Sequence, residues 1–85
     1  MVYNNILEAI GGTPLIKLNR ITDKDSADIY VKYEALNVGG SVKTRTAYNM
    51  ILQAEKDGLI NKDTIIVEPT SGNQGIGLAL VAAVR

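Results

Sequence analysis

The chain passes from strand to helix within the stretch NVGGSVK, residues 37–43, and this stretch decides the fold. The adjacent glycines Gly39 and Gly40 favour a loop, because glycine is unfavourable inside regular structure and tolerates unusual backbone angles. A second stretch, EPTSGNQGIG at residues 68–77, has the same order of strand end, glycine-containing turn and helix start. Two such strand–loop–helix units in succession predict an α/β protein.

The residues before the first stretch predict a short helix and two strands. The helix covers residues 5–10 and ends at the glycine pair 11–12. A brief strand at residues 15–18 and an alternating, half-buried strand at residues 28–34 flank the polar loop 22–26. We expect these two strands to form an antiparallel pair.

The residues after the first stretch predict two helices and a buried strand. One helix ends at Asp57-Gly58, with apolar residues at helical spacing up to Leu59. Residues 64–67 form an apolar run typical of a strand covered on both faces, and residues 76–84 are apolar almost all round, which predicts a buried helix still running at the last residue. A strand without a visible parallel neighbour is half of a βαβ unit. We therefore expect a truncated chain, the first part of a mainly parallel sheet.

The composition excludes several functions. Nine Lys and Arg balance nine Asp and Glu, so neither nucleic acid nor an anionic membrane is an expected partner. The chain has no Cys and no His, which removes thiolate metal sites and the usual near-neutral acid or base, and we expect no metal. Any catalysis must use Lys, Tyr, carboxylates or a cofactor. No apolar run approaches the ~20 residues of a bilayer span, and the start lacks a signal peptide, so we expect a cytoplasmic protein.

Neither stretch matches a common nucleotide-binding motif. A P-loop requires glycines where Asn37 and Val42 stand. Gly72, Gly75 and Gly77 are spaced G-x-x-G-x-G, the reverse of the dinucleotide pattern. A phosphate- or nucleotide-binding module is therefore a weak alternative.

Lys43 is the candidate catalytic residue. It could simply be a solvated side chain, but a cation in the first turn opposes the helix dipole, and Arg45 adds a second one. In a dry pocket near another positive end, a lysine loses its proton more easily, and the neutral amine condenses with an aldehyde. Gly39 and Gly40 would let the backbone approach a flat ring.

The turn at residues 70–74 is the candidate substrate site. Ser71 or Asn73 could act only as a helix N-cap. A cap needs one polar residue, however, and the turn offers four around a glycine at the positive end of a helix, which suits a bound carboxylate. Gly75 and Gly77 each cost about 1 kcal/mol in a helix, which suggests that a ligand or another backbone comes close there.

Four motifs resemble the cysteine synthase (O-acetylserine sulfhydrylase) and cystathionine β-synthase family of fold type II pyridoxal 5′-phosphate enzymes. They are IGGTPL at 10–15, GGSVK at 39–43 followed by Arg45, EPTSGN at 68–73 and GIGLA at 75–79. They occur in the family's order and spacing. The resemblance covers roughly the first quarter of such an enzyme, with residues 1–36 in its larger domain and residues 37–85 starting the smaller one.

The resemblance implies roles for individual residues. Lys43 is similar to the lysine that holds the cofactor through a Schiff base and later moves the substrate Cα proton. Asn73 is similar to the residue that hydrogen-bonds the 3′-oxygen of the cofactor. The substrate loop implied by the resemblance comprises Thr70, Ser71, Gly72, Asn73 and Gln74.

The implied reaction is β-replacement on a serine- or cysteine-type amino acid, most simply cysteine synthesis from O-acetylserine and sulfide. Val38, Thr44 and Gln74 depart from the residues that many members have, which leaves open a relative that releases hydrogen sulfide from cysteine. The resemblance also implies a homodimer and a serine acetyltransferase partner. The family's phosphate-binding loop would lie beyond Arg85, so the 85-residue chain alone is expected to be inactive. An inactive fragment that only binds a partner is the remaining alternative.

Overall fold

The computed structural model describes residues 1–70 and 72–85, and these form the expected α/β arrangement. A short 3₁₀ helix, Ile6–Ala9, precedes strands β1, Leu15–Lys17, and β2, Tyr30–Lys32. A second 3₁₀ helix, Glu34–Leu36, leads into the glycine loop. Helices α1, Lys43–Lys56, and α2, Asn73–Val84, complete the fold.

The N-terminal part is an exposed two-stranded ribbon. The strands are antiparallel, as predicted, with Ile16 opposite Val31 in the register. Gly11 and Gly12 end the first short helix with φ of 95° and 64°, angles that other residues rarely adopt. The expected half-burial of the second strand is wrong, since all three residues of each strand are exposed. Alternation buries one face only when another layer packs on it, and the ribbon has no such layer in residues 1–70 and 72–85.

The core lies between α1 and α2. Leu7, Ala47, Ile51 and Val81 are buried there, and the first short helix contributes the leucine. Helix α1 ends as predicted, with Asp57 as its C-cap and Gly58 at φ 72°. Leu59, which was expected to continue the apolar face, is 75% exposed because it follows the end of the helix.

Two expectations about the C-terminal half are wrong within the described part of the chain. Residues 64–67 form no strand, and Ile65 and Val67 are 85% and 88% exposed. An extended segment becomes a strand only when a neighbour pairs with it, and no other described segment does so. Helix α2 is buried on one side only, through Gly77 and Val81, while Ile76 is 51% exposed. No helix in the described ranges is long and apolar enough to cross a membrane.

Candidate active site at the starts of the two helices

The first glycine of the loop accommodates the first turn of α1. Gly39 has φ 82°, and a β-carbon there would collide with the Thr44 hydroxyl. Thr44 is 1% exposed, and its hydroxyl donates to the Val38 carbonyl at 2.5 Å. The space beside Gly39 is therefore occupied by the protein itself, and not by a ring as the sequence suggested.

The second glycine of the loop leaves open space. Gly40 has φ 77°, and no other part of the described chain lies within 4 Å of a β-carbon built there. Its amide donates to the Asn37 carbonyl at 2.8 Å, which closes the turn. A ligand could approach the backbone at Gly40, as expected for this pair of glycines.

Lys43 is the first residue of α1, and it is exposed. Its amide donates to the Ser41 hydroxyl at 3.2 Å. Because Lys43 is exposed, residues 1–70 and 72–85 do not form the dry pocket that was expected around it. The contacts described for Lys43 involve its backbone amide and carbonyl. The amine is accessible to a ligand from solvent.

Gly77 brings α2 against the start of α1. A β-carbon at Gly77 would lie 2.9 Å from the Lys43 carbonyl oxygen and 3.0 Å from the Ala47 β-carbon. The expectation of a closely approaching backbone is confirmed at this glycine. Asn73, the first residue of α2, precedes Gly77 by four residues. It therefore lies about one helical turn, or about 5.4 Å along the axis, from this contact.

The turn before α2 is held by Thr70. The Thr70 hydroxyl accepts hydrogen bonds from the amides of Gly72 at 3.3 Å and Gly75 at 3.2 Å. A β-carbon at Gly75 would collide with the Thr70 side chain, so a side chain rather than a ligand explains this glycine. The N-cap of α2 is Gly72, and Asn73 is the first helical residue. Ser71, the other residue considered as a cap, lies outside the described residues.

The predicted substrate residues differ in their exposure and in their contacts with the rest of the chain. Asn73 and Gly72 are exposed, while Thr70 is engaged in the turn. The Gln74 amide contacts the Met50 sulfur of α1 at 3.7 Å. The structure thus leaves Asn73 with an exposed amide at the positive end of α2.

A polar cluster beside the loop was not predicted from the sequence. The Glu34 carboxylate accepts from Arg45 Nε at 3.0 Å and from the Thr13 hydroxyl at 2.6 Å. It also accepts from the Asn37 amide at 3.1 Å. These hydrogen bonds, those from Arg45 and Thr13 foremost, lower the pKa of Glu34 to about 2.

The cluster also corrects the interpretation of Arg45. In the sequence, Arg45 was a second cation that opposes the dipole of α1, with no partner identified for it. It instead pairs with Glu34, whose hydrogen bond raises the pKa of Arg45. Glu34 and Arg45 lie eleven residues apart in two different helices with the glycine loop between them, so no helical or strand period relates them. No pattern in a single sequence would have revealed the pair.

The residues at the two helix starts fit a flat aldehyde cofactor. Lys43 has a primary amine that would bond covalently with the aldehyde, and Asn73 has an amide that would donate to a ring oxygen. Gly40 leaves room beside the backbone. The amine, the amide and the open space at Gly40 suit the aldehyde and the ring of such a group.

An α/β fold with an exposed lysine at one helix start and a polar turn before the next is compatible with a cofactor-dependent α/β enzyme. A family profile described as "Pyridoxal-phosphate dependent enzyme" matches residues 6–85, and the chain belongs to this family. The family resemblance carried by the four motifs is thereby confirmed.

Relatives of known name are similar along the whole chain. A cysteine synthase from Flavobacterium is 55% identical over 85 residues, which are 100% of this chain and 27% of the relative. A hydrogen sulfide-producing enzyme from Fusobacterium nucleatum has a TM-score of 0.89 and 52% identity, over 99% of this chain and 28% of that structure. O-acetylserine sulfhydrylase isoform 3 from Entamoeba histolytica has a TM-score of 0.91 and 49% identity, over 99% of this chain and 26% of that structure. The chain therefore spans about a quarter of the proteins it resembles.

Proposed function

We propose that this chain forms the lysine-bearing N-terminal part of a pyridoxal-phosphate enzyme of β-replacement type. An 85-residue chain that is 27% of its relative corresponds to an enzyme of roughly 300 residues, called the full-length enzyme below. In it, residues 1–36 belong to the larger domain and residues 37–85 begin the smaller one. The observation that carries the proposal is the packing of Gly77 on the Lys43 carbonyl, which holds the starts of α1 and α2 together.

Each residue of the site has a definite task in this proposal. Lys43 would hold the cofactor covalently and would move the proton at the substrate Cα. Asn73 donates to the cofactor ring oxygen, and the backbone at Gly72 meets the substrate carboxylate beside the positive end of α2. The cofactor, when bound, supplies an electron sink for the carbanion at Cα. The remaining part of the full-length enzyme encloses the exposed Lys43 amine and excludes water.

The proposed reaction is the formation of cysteine from O-acetylserine and sulfide. The bond between Cβ and the ester oxygen breaks, acetate leaves, and a new bond forms between Cβ and sulfur. The proton removed from Cα by Lys43 returns to Cα at the end, so atoms and charges balance. The 55% identity to a cysteine synthase supports this reaction.

The second candidate reaction starts from cysteine. The bond between Cβ and sulfur breaks, hydrogen sulfide leaves, and water or a thiol adds to Cβ. The 52% identity to a hydrogen sulfide-producing enzyme supports it. The chain departs from the residues that many members have at Val38, Thr44 and Gln74, and these departures bear on the choice.

Assembly and location belong to the same proposal. The full-length enzyme is a cytoplasmic homodimer that takes a small amino acid as substrate. Serine acetyltransferase is its candidate protein partner. The first measurement is the intact mass of the purified protein, because a component of roughly 300 residues supports the enzyme and a stable 85-residue chain supports a fragment that only binds a partner.

Product analysis tests the proposed reaction. The full-length enzyme loaded with cofactor is incubated with O-acetylserine and sulfide, or with cysteine alone, and cysteine and hydrogen sulfide are quantified. We expect cysteine from the first mixture at a rate that exceeds hydrogen sulfide release from the second. Asn73→Ala should reduce the rate about tenfold or more, because it removes the amide at the ring oxygen.

Asn49→Ala is the matched control, since Asn49 is an exposed asparagine within α1. It should leave the rate of cysteine formation unchanged. The absence of both products would contradict β-replacement. Faster hydrogen sulfide release than cysteine formation would favour the second candidate reaction.

A further inference from the structure

The polar cluster around Glu34 joins four separate parts of the chain. Thr13 precedes β1, Glu34 lies in the second 3₁₀ helix, Asn37 begins the glycine loop, and Arg45 lies in the first turn of α1. Both oxygens of Glu34 are used: Oε1 accepts from Thr13 at 2.6 Å and from Arg45 Nη2 at 3.1 Å, and Oε2 accepts from Asn37 at 3.1 Å and Arg45 Nε at 3.0 Å. The ion pair is therefore bidentate, the geometry that gives the strongest and most directional pairing.

The cluster holds both ends of the loop that precedes Lys43. Asn37 Oδ1 accepts from the amides of Gly11 at 3.0 Å and Val38 at 2.9 Å, which fixes the start of the loop. Arg45, two residues beyond Lys43, fixes its end. A loop held at both ends has fewer conformations, and Lys43, which lies between the two ends, is restricted with it.

Because the cluster is largely buried, the loss of one of its hydrogen-bond partners would destabilise the fold. Thr13 and Asn37 are 7% and 5% exposed, and the Glu34 side chain is 16% exposed. Polar groups at such depth lose water on folding and need their protein partners. Loss of the carboxylate would leave the buried Asn37 amide without its acceptor and would release Arg45, whose side chain is 38% exposed, from its place beside the loop.

From this arrangement we infer that Glu34 is a positioning residue that holds the Lys43 amine ready to bond with the cofactor aldehyde. The inference rests on the proposed function, since it concerns the task assigned to Lys43. Glu34 acts through Arg45 and Asn37, and it does not itself touch the cofactor. Formation of the covalent bond consumes the Lys43 amine and the aldehyde oxygen and releases one water, so Glu34 contributes geometry and no proton.

The chain provides a matched control in a second ion pair. Arg85 Nε donates to Glu55 Oε1 at 3.1 Å, and a second guanidinium nitrogen contacts Glu55 Oε2, so this pair is also bidentate. It joins the far ends of α1 and α2, about twelve residues from Lys43 along α1. Glu55→Gln therefore removes a comparable pair without touching the loop.

The experiment measures how fast Lys43 captures pyridoxal phosphate. Apo forms of the full-length enzyme, Glu34→Gln and Glu55→Gln are mixed with pyridoxal phosphate, quenched with borohydride at successive times, and analysed by peptide mass spectrometry for label on Lys43. We expect Glu34→Gln to slow labelling about tenfold or more, because a small displacement of a reacting group has a large effect on rate. Glu55→Gln should stay within about twofold of the unsubstituted enzyme.

Each other outcome has a definite meaning. Equal labelling rates in Glu34→Gln and Glu55→Gln at similar melting temperatures would overturn the inference, because a stabilising role alone would affect both variants alike. If Glu34→Gln does not fold, Arg45→Lys keeps the positive charge but loses the bidentate pair with Glu34, and labelling at the unsubstituted rate would equally overturn the inference. Labelling that does not depend on Lys43 in the unsubstituted enzyme would instead refute the proposed function.

Discussion

At the scale of single residues, the surroundings of each glycine show whether the space beside it is filled by the protein or open to a ligand. Gly39 and Gly75 make room for the threonines Thr44 and Thr70 of the same chain, whereas Gly40 leaves space open. Gly77 differs from these, because the nearest atom to a β-carbon there belongs to the backbone of Lys43 and not to a side chain. The candidate site therefore depends on the missing side chain at position 77.

Gly77→Ala should destabilise the full-length enzyme. Alanine gains about 1 kcal/mol of helix propensity, but its β-carbon would lie 2.9 Å from the Lys43 carbonyl oxygen, and overpacking of this kind costs about 1–3 kcal/mol. The free energy of unfolding in urea measures the balance. Ala83→Gly, at an exposed position of the same helix, serves as the control and should lose only the propensity term. A Gly77→Ala variant more stable than the unsubstituted enzyme would contradict the close contact.

At the scale of elements, the cluster around Glu34 should make stability depend on pH. The folded pKa of Glu34 is about 2, lowered from 4.5 by the hydrogen bonds of Arg45 and Thr13. A lowered folded pKa means that the ionised carboxylate stabilises the folded state above pH 4.5 and that this contribution declines as the pH falls from about 4.5 towards 2. The free energy of unfolding is compared between the unsubstituted enzyme and Glu34→Gln from pH 7 to pH 3. Their difference should be constant near neutrality and shrink in acid, and a difference independent of pH would contradict the assigned role of the carboxylate.

Elements set by local sequence were predictable, and those set by distant partners were not. The glycine pair 11–12 and Gly58 end helices through backbone conformation, which the local sequence specifies. The strand expected at residues 64–67 depends on a partner, and its apolar pattern alone does not supply the hydrogen bonds. The candidate site shows the same division: Lys43 and Asn73 stand at helix starts that the motifs predicted, whereas Glu34 joins the site through contacts across the fold.

At the scale of the whole molecule, the chain exposes much apolar surface for its length. The ribbon, residues 64–67 and one side of α2 all carry exposed large apolar side chains, while the buried core consists of four residues among those that the structure describes. A core this small provides little of the burial that stabilises a domain, so we expect the exposed surfaces to be covered in the full-length enzyme. This agrees with a chain that spans about a quarter of its relatives.

The identity of the lysine that binds the cofactor tests the central claim most directly. The full-length enzyme is loaded with pyridoxal phosphate, reduced with borohydride and digested, and the labelled peptide is sequenced by mass spectrometry. We predict label on Lys43, its loss in Lys43→Arg, and unchanged labelling in Lys56→Arg, which alters an exposed lysine at the other end of α1. Label on a different lysine, or the same amount of label in Lys43→Arg, would contradict the account.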